Sequence, residues 1–356
     1  MNSGFWSGKN VLVTGHTGFK GSWLSLWLQH LGANVTGLSL DPPTNPSLFE
    51  IANVAEGMNS IIGDIRDKAA VEEAFNQSAP DILIHMAAQP LVLYSYDNPI
   101  ETYETNVMGT VHVLEACRQS TSLQAAVMIT TDKCYENKEW VWAYRENEPM
   151  GGYDPYSNSK GCSELVISAY RQSYFGDHGH PAAIASARAG NVIGGGDWAA
   201  DRLIPDFMQA ILENKPVIIR SPSSIRPWQH VLEPLNGYLT LAENLTKDKE
   251  KYSQGWNFGP NQSDAKEVQW IINHISKLWG EGAEWQLDKK IHPHEATYLK
   301  LDCSKAHDLL RWEPKLSLST TLEWIVEWYK QYQGDSDMRK VTLQEIARYQ
   351  AIGSTK

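Results

Sequence analysis

The chain has 356 residues, 42% of them hydrophobic, which suffices for one large or two medium domains around a proper core. Its formal net charge of -11 argues against a nucleic-acid binder, whose footprint would be a basic face, and no run approaches the length of a membrane span. Four cysteines, Cys117, Cys134, Cys162 and Cys303, have neither paired nor metal-like spacing, and Met1–Lys9 lacks a charged-then-apolar signal pattern, so a reduced, cytoplasmic protein without a bound metal is expected.

From the N-terminus, short apolar runs alternate with longer mixed segments, the rhythm of an α/β, doubly wound parallel sheet. Strands are predicted at Asn10–Thr14, Asn34–Leu40, Asn59–Gly63, Ile82–Met86, Ala125–Thr130 and Pro181–Arg188. Helical stretches fall at Gly21–Leu31, Ala69–Gln77, Tyr103–Gln119 and Tyr156–Phe175. Beyond about residue 180 glycine, proline and tryptophan become frequent, and Gly194–Trp198 and Ser221–Pro227 read as loops. The expected organisation is a Rossmann-type dinucleotide-binding domain over residues 1–180, to which about 228–258 returns, and a smaller, irregular, discontinuous substrate lobe over 181–350. The tail from Gln331 is polar and is expected to be a surface helix or partly frayed.

The first predicted strand runs into Gly15-x-x-Gly18-x-x-Gly21 and then into a helical pattern. Glycines in that context allow a tight turn and let backbone N–H groups and a helix N-terminus approach a pyrophosphate. Asp41 stands 20 residues past Gly21, at the end of the second strand, where a carboxylate would bind ribose hydroxyls and repel a 2'-phosphate. That favours NAD over NADP, although Asp41 also opens an Asp-Pro-Pro turn. Gly63-Asp64-Ile65, past the third strand, is placed either to meet an adenine edge or to serve as an ordinary turn.

The apolar run Ala125–Ile129 ends in two hydroxyls, a carboxylate and an ammonium: Thr130, Thr131, Asp132 and Lys133. Farther on, Tyr156 and Lys160 stand four residues apart at the start of a helical segment, so phenol and ammonium share one face. Lys160 is expected to lower the Tyr156 pKa, with help from a positive nicotinamide ring, so that the tyrosinate can take a proton from a sugar alcohol.

With Thr14-Gly15-x-x-Gly18-x-x-Gly21, His85-Met-Ala-Ala-Gln89, Asn106, Thr130-Thr131, Tyr156-x-x-x-Lys160, Arg188-Ala-Gly-Asn191 and Arg226-Pro-Trp-x-x-Val231, nearly the whole chain resembles extended short-chain dehydrogenase/reductases of the nucleotide-sugar 4,6-dehydratase and epimerase branch. Thr131-Asp132-Lys133, where related dehydratases carry Thr-Asp-Glu, resembles the CDP-glucose 4,6-dehydratases, as do Phe19-Lys20-Gly21, Gly195–Trp198 and His292–Ala296. The resemblance implies that NAD lies along Gly15, His16, Gly18, Phe19 and Gly21, with Asp41, Asp64 and Ile65 at its adenosine end. Ala87, Ala88, Tyr156 and Lys160 complete that cofactor site.

For the reaction, the resemblance implies C4 oxidation with Tyr156 as base, loss of water across C5 and C6, and hydride return to C6, with Thr131 and Lys160 assisting. Asp132 is the expected acid at C6. Lys133 holds the position of the C5 base, and enolate stabilisation or a structural pairing with Asp132 are its alternatives. Asn191, Arg202, Leu203 and Arg226 are expected along the nucleotide and diphosphate, with His294 and Tyr298 as further contacts. The partner is thus a nucleotide sugar, with cytosine as the implied base and deoxysugar precursors of bacterial surface polysaccharide such as O-antigen as the implied pathway. A homodimer built on Tyr103–Gln119 and Tyr156–Phe175, possibly paired again into a dimer of dimers, is also implied. Rival readings are a C4 epimerase, a dehydratase for another nucleotide sugar, and a non-catalytic NAD-binding protein.

Overall fold

Seven parallel strands form the central sheet of the computed structural model, which describes residues 3–176, 179–280, 285–288 and 298–353. The strands are β1 (Asn10–Thr14), β2 (Asn34–Ser39), β3 (Asn59–Ile62), β4 (Ile82–His85), β5 (Ala125–Ile129), β6 (Ala183–Ala189) and an edge strand, Gly255–Phe258. From that edge the order runs Gly255–Phe258, β6, β5, β4, β1, β2, β3. Nearly every residue of β1, β4, β5 and β6 is buried, so these runs are apolar without alternation, as a sheet covered on both faces requires. The direction of winding reverses between β1 and β4, and a crevice opens beyond their carboxyl ends.

The helix Phe19–His30 leaves β1 and is buried from Gly21 to Leu28. Its outer side meets the C-terminal helix Met338–Ala351, where Trp27 packs edge-on against Tyr349 with ring centroids 5.7 Å apart. Met338, Ile346 and Tyr349 are buried there, and Arg339 donates to the carbonyls of Asn53 and Glu56 and to Gln29. Of the two expectations for the tail, a surface helix or a partly frayed segment, the structure has the helix, docked on the core along its buried side. Val341, Leu343 and Ile352 pack beside these residues, so apolar side chains, an aromatic pair and one multiply bonded arginine together hold it.

The helix expected from Tyr103 begins at Pro99, passes through a π-helical stretch at Glu104–Met108 and continues as Gly109–Gln119. That stretch carries Asn106, whose amide accepts from Gln89 N and donates to Gln89 O and Ser159 Oγ at 2.9–3.1 Å. One buried side chain thus ties the loop after β4 to the helix Pro155–Tyr174. Widened turns of this kind often mark functional sites.

The second lobe is built of short pieces. Helix Leu203–Leu212 packs on Val217–Ile219, and Ile225–Pro227 pairs antiparallel with Ala265–Glu267. The Gly194–Trp198 turn joins this lobe to the core: Trp23 Nε1 donates to Gly195 O at 2.9 Å, and a Cβ on Gly195 would sit 2.2 Å from the Trp328 ring. Among the described residues, no helix is long and apolar enough to cross a membrane.

Candidate active site

Gly15 holds φ at 78°, the left-handed region, and a Cβ there would lie 2.8 Å from Ala87 N. At Gly21 a Cβ would lie 2.0 Å from Gly15 O, so both positions exclude any larger residue. Gly18 begins the helix Phe19–His30 without a side-chain cap, which leaves its first N–H groups to whatever anion lies in front of them. The loop, the bare helix start and the facing Ala87 and Ala88 fit a dinucleotide pyrophosphate. Thr14 Oγ1 fixes that facing edge by accepting from Met86 N and Ala87 N at 3.1 and 3.2 Å.

Asp41 is exposed just past β2. Asp64 accepts three bonds from Arg66, at 2.8, 2.8 and 2.6 Å; burial pushes its carboxyl up, and these bonds more than reverse that, leaving it below its ordinary value. Ile65 is buried against Gly109, where a Cβ would meet it at 2.6 Å. His16 differs from the expected cofactor contact in what its ring does. The imidazole is fully buried, bonded to Ser60 Oγ at 2.7 Å and packed where a Cβ on Gly37 would fall. Burial pulls its pKa down to about 4, so it stays neutral, and only its backbone is left for a ligand.

The reacting groups collect at the end of β5. Thr131 caps the short turn Asp132–Cys134, accepting from Lys133 N at 3.4 Å and donating to Asp132 Oδ1 at 2.9 Å. Asp132 is 2% exposed, and burial raises its carboxyl above the ordinary range against the opposing pull of Lys133, Thr131 and Arg226. The carboxyl fits only because residue 190 is glycine, since a Cβ there would fall 2.2 Å from Asp132 Oδ2. Beneath it, Glu164 accepts from Thr130, Ser186 and Arg188, and Arg188 also donates to the Tyr135 hydroxyl, so the strand ends are tied together by a paired buried charge.

Asp154 caps the helix Pro155–Tyr174 by accepting from Ser157 N at 2.9 Å, and Pro155 occupies its first turn. Tyr156 follows immediately, its N–H donating to Ser95 Oγ at 3.1 Å, and it lines the same cleft as Thr131. Burial pushes the phenol up to about 12, and the groups that oppose this are Thr131 and Arg202. The depression expected from Lys160 includes the charge of a nicotinamide ring, and in the protein alone burial is the larger influence on the phenol. The Lys160 ammonium lies 3.4 Å from Ile129 O and is itself drawn down to about 8 by burial.

A cleft of about 540 Å³ runs from these groups into the second lobe. Phe19, Lys133, Asn191, Arg202, Leu203 and Arg226 line it together with Thr131, Asp132 and Tyr156. Arg202 is held by Asp197 at 3.0 Å, and its charge is felt at Tyr156, so it stands nearer the reacting end than a purely nucleotide-binding role implies. Tyr298 does not line the cleft; its carbonyl accepts from Asn137, and Lys300 sits over its ring. His294 lies outside the described residues.

Lys20 also lines the cleft, and no role for it follows from the sequence motifs. Its ammonium lies 5.8 Å from the Tyr238 ring centroid, and burial, helped by the charges of Lys160 and Arg202, brings its pKa down to about 7. The signal was a charged residue at the second position of a helix whose next eight residues, Gly21 to Leu28, are buried. Among the described residues no group of three or more His, Cys, Asp or Glu side chains is placed to hold a metal ion.

Residues 12–325 match the family described as GDP-mannose 4,6 dehydratase. The chain is 58% identical over 352 residues to the CDP-glucose 4,6-dehydratase of Salmonella typhimurium, covering 98% of each. It is 27% identical to the dTDP-glucose 4,6-dehydratase of Haemophilus influenzae, covering 90% of this chain and 97% of that one. Among solved structures, the UDP-glucose 4-epimerase of Thermus thermophilus in complex with NAD is similar with a TM-score of 0.77 at 25% identity, covering 90% of this chain and 98% of that chain. The glycine cradle, the Thr-Asp-Lys turn and the Tyr-Lys helix thus sit in a chain that belongs to the GDP-mannose 4,6 dehydratase family.

Proposed function

We propose that the chain is a CDP-D-glucose 4,6-dehydratase, converting CDP-D-glucose into CDP-4-dehydro-6-deoxy-D-glucose and water with NAD as its cofactor. One observation carries the choice over a C4 epimerase: a buried Asp132, its carboxyl pushed above the ordinary range by burial, bonded to Thr131 in the same cleft as Tyr156. Epimerisation at C4 has no use for an acid at C6. The 58% identity to a CDP-glucose 4,6-dehydratase supports the same reading and the same base.

Bound NAD supplies the hydride acceptor for C4 and, later, the donor to C6. The chain's own residues do the rest. The bare N–H groups ahead of Phe19–His30 hold the cofactor pyrophosphate, and Arg202, Arg226 and Asn191 hold the sugar nucleotide along the cleft. With the positive charge of bound NAD favouring its ionised form, Tyr156 takes the proton of the C4 hydroxyl as C4 gives up its hydride, and the ketone so formed makes the C5 proton acidic. Asp132 protonates the C6 hydroxyl as it leaves, and Lys133, beside it on the cleft wall, carries the C5 proton off and returns it. Lys160, four residues on along the same helix, adds a positive charge at the Ile129 carbonyl end of β5.

The residue 1–180 domain with its returning segment holds the cofactor in this reading, and the remainder holds the nucleotide. We place the protein in the cytoplasm as a homodimer. Ile100, Met108 and Leu165 are 73%, 48% and 60% exposed on the two helical segments that would pair, a cost in water that a second copy removes. The deciding assay is incubation with NAD and CDP-, dTDP-, UDP- or GDP-linked hexoses, followed by mass. Loss of one water from CDP-glucose alone is the expected result, whereas an isomer of unchanged mass would make the protein an epimerase.

A further inference from the structure

Thr131, Asp132 and Tyr156 act on the hexose and cannot tell one nucleobase from another. Choice of the base needs a group at the other end of the cleft. Helix Leu203–Leu212 forms one wall there. Arg202, its N-cap residue, stands toward the reacting end, and its charge is felt at Tyr156. Asp206 follows four residues later on the same face, about 6 Å farther along the axis. It lines the cleft, and the charges that act on it, from Asp201, Arg220 and Asp197, belong to the second lobe. The helix packs on Val217–Ile219, and Ile218 and Ile219 line the same cleft, an apolar surface on which a flat ring can lie.

We propose, resting on the CDP-glucose reading, that Asp206 selects the nucleobase, its carboxylate accepting a hydrogen bond from the 4-amino group of cytosine. Position 4 is where the pyrimidine bases differ. Cytosine presents an amino donor there, whereas uracil and thymine present a carbonyl, whose lone pairs would face a negative charge. An ionised carboxylate can only accept, so it welcomes the first and repels the second.

Two further features fit this role. The arginines flanking Asp206 are committed to other carboxylates: Arg202 lies 3.0 Å from Asp197, and Arg220 lies 3.7 Å from Asp201 and donates to the Asp201 carbonyl at 3.0 Å. Among the described residues none forms a salt bridge with Asp206, so a neutral donor brought by a ligand meets no competing cation. Burial and the Asp201 carboxylate also raise the Asp206 carboxyl to about 6, a cost that an incoming N–H offsets.

The test measures by calorimetry, with NAD bound, the affinities of wild type and Asp206→Asn for CDP, UDP and a CDP analogue carrying hydrogen in place of the 4-amino group. Wild type is expected to bind CDP about thirtyfold more tightly than either of the others. Asp206→Asn, whose amide can donate as well as accept, is expected to bring CDP and UDP within about threefold of each other. If the variant keeps the wild-type preference for CDP, the base is chosen elsewhere and the proposal is wrong. Weakening of all three ligands by one factor means that Asp206 meets the ribose or only shapes the cleft, which overturns it as well. Wild type that binds the analogue or UDP as tightly as CDP overturns it whether or not the variant folds. A wild type that prefers UDP would sink the CDP-glucose reading and this proposal together, whereas a preference for CDP over UDP with any of the other adverse results sinks the proposal alone.

Discussion

The two ends of the cleft are built by different means. At the reacting end, Thr131, Asp132, Tyr156 and Lys160 come directly off a strand end and a capped helix start, almost wholly buried, with Thr131 bonded both to Asp132 and to the turn's backbone. At the other end, long cations reach in from a lobe of two- and three-residue strands, and the Arg202 side chain, a third exposed, is held by one carboxylate. The first kind of site sets atoms to within a fraction of an ångström, as proton transfer requires. The second kind supplies charge for a diphosphate, where position can vary more.

The largest effects should therefore come from the smallest changes at the reacting end. Tyr156→Phe removes one oxygen and is expected to cut water loss from CDP-glucose about 10³-fold, while NAD still binds at the separate glycine cradle. Mass analysis together with a cofactor-binding titration checks both halves. Gly190→Ala adds one methyl 2.2 Å from Asp132 Oδ2 and 3.1 Å from Pro227, and neither neighbour is a flexible chain end. It is expected to cost about 1–3 kcal/mol in urea unfolding and to lower turnover about a hundredfold by displacing the acid. An alanine variant of full activity would mean that the Asp132 carboxyl is not where the chemistry happens. At the other end, Asp197→Asn should loosen Arg202 and raise KM about tenfold with kcat within a factor of two. Equal falls in kcat would erase the distinction between the two ends and make Arg202 part of the reacting centre.

The same difference governs what could be read from the residues alone. Strand runs buried on both faces show as unbroken apolar segments, so β1 to β6 are legible to within two residues at either end. The glycines, Thr131-Asp132 and Tyr156-Lys160 are legible because backbone geometry dictates their spacing. What escaped depends on long-range packing. Nothing local shows that Met338–Ala351 docks on Trp27, that the His16 ring turns inward to Ser60, or that burial outweighs Thr131 and Arg202 at the Tyr156 phenol. Lys20 escaped for a related reason, since its meaning depends on the three charges that the fold brings around it, Lys160, Arg202 and Asp132.

The smallest expected effect tests the nucleotide end without any substrate. Asp206 lines the cleft, and burial together with the nearby Asp201 carboxylate raises its pKa from 3.8 to about 6, against the pull of Arg220. A carboxyl whose folded pKa lies above its unfolded one binds more protons when folded, so stability is full below the unfolded value and falls as pH rises toward the folded one. Asp206→Asn keeps the shape and cannot ionise. Its melting temperature should match wild type near pH 4, exceed it increasingly up to about pH 6, and stay above it by a constant margin beyond. Equal melting temperatures at neutral pH would mean that this carboxylate is at ease in the empty cleft. A margin that closes when CDP-glucose is added to wild type would instead show that the nucleotide end is strained until a ligand fills it, in contrast to a reacting end that is already satisfied by its own hydrogen bonds.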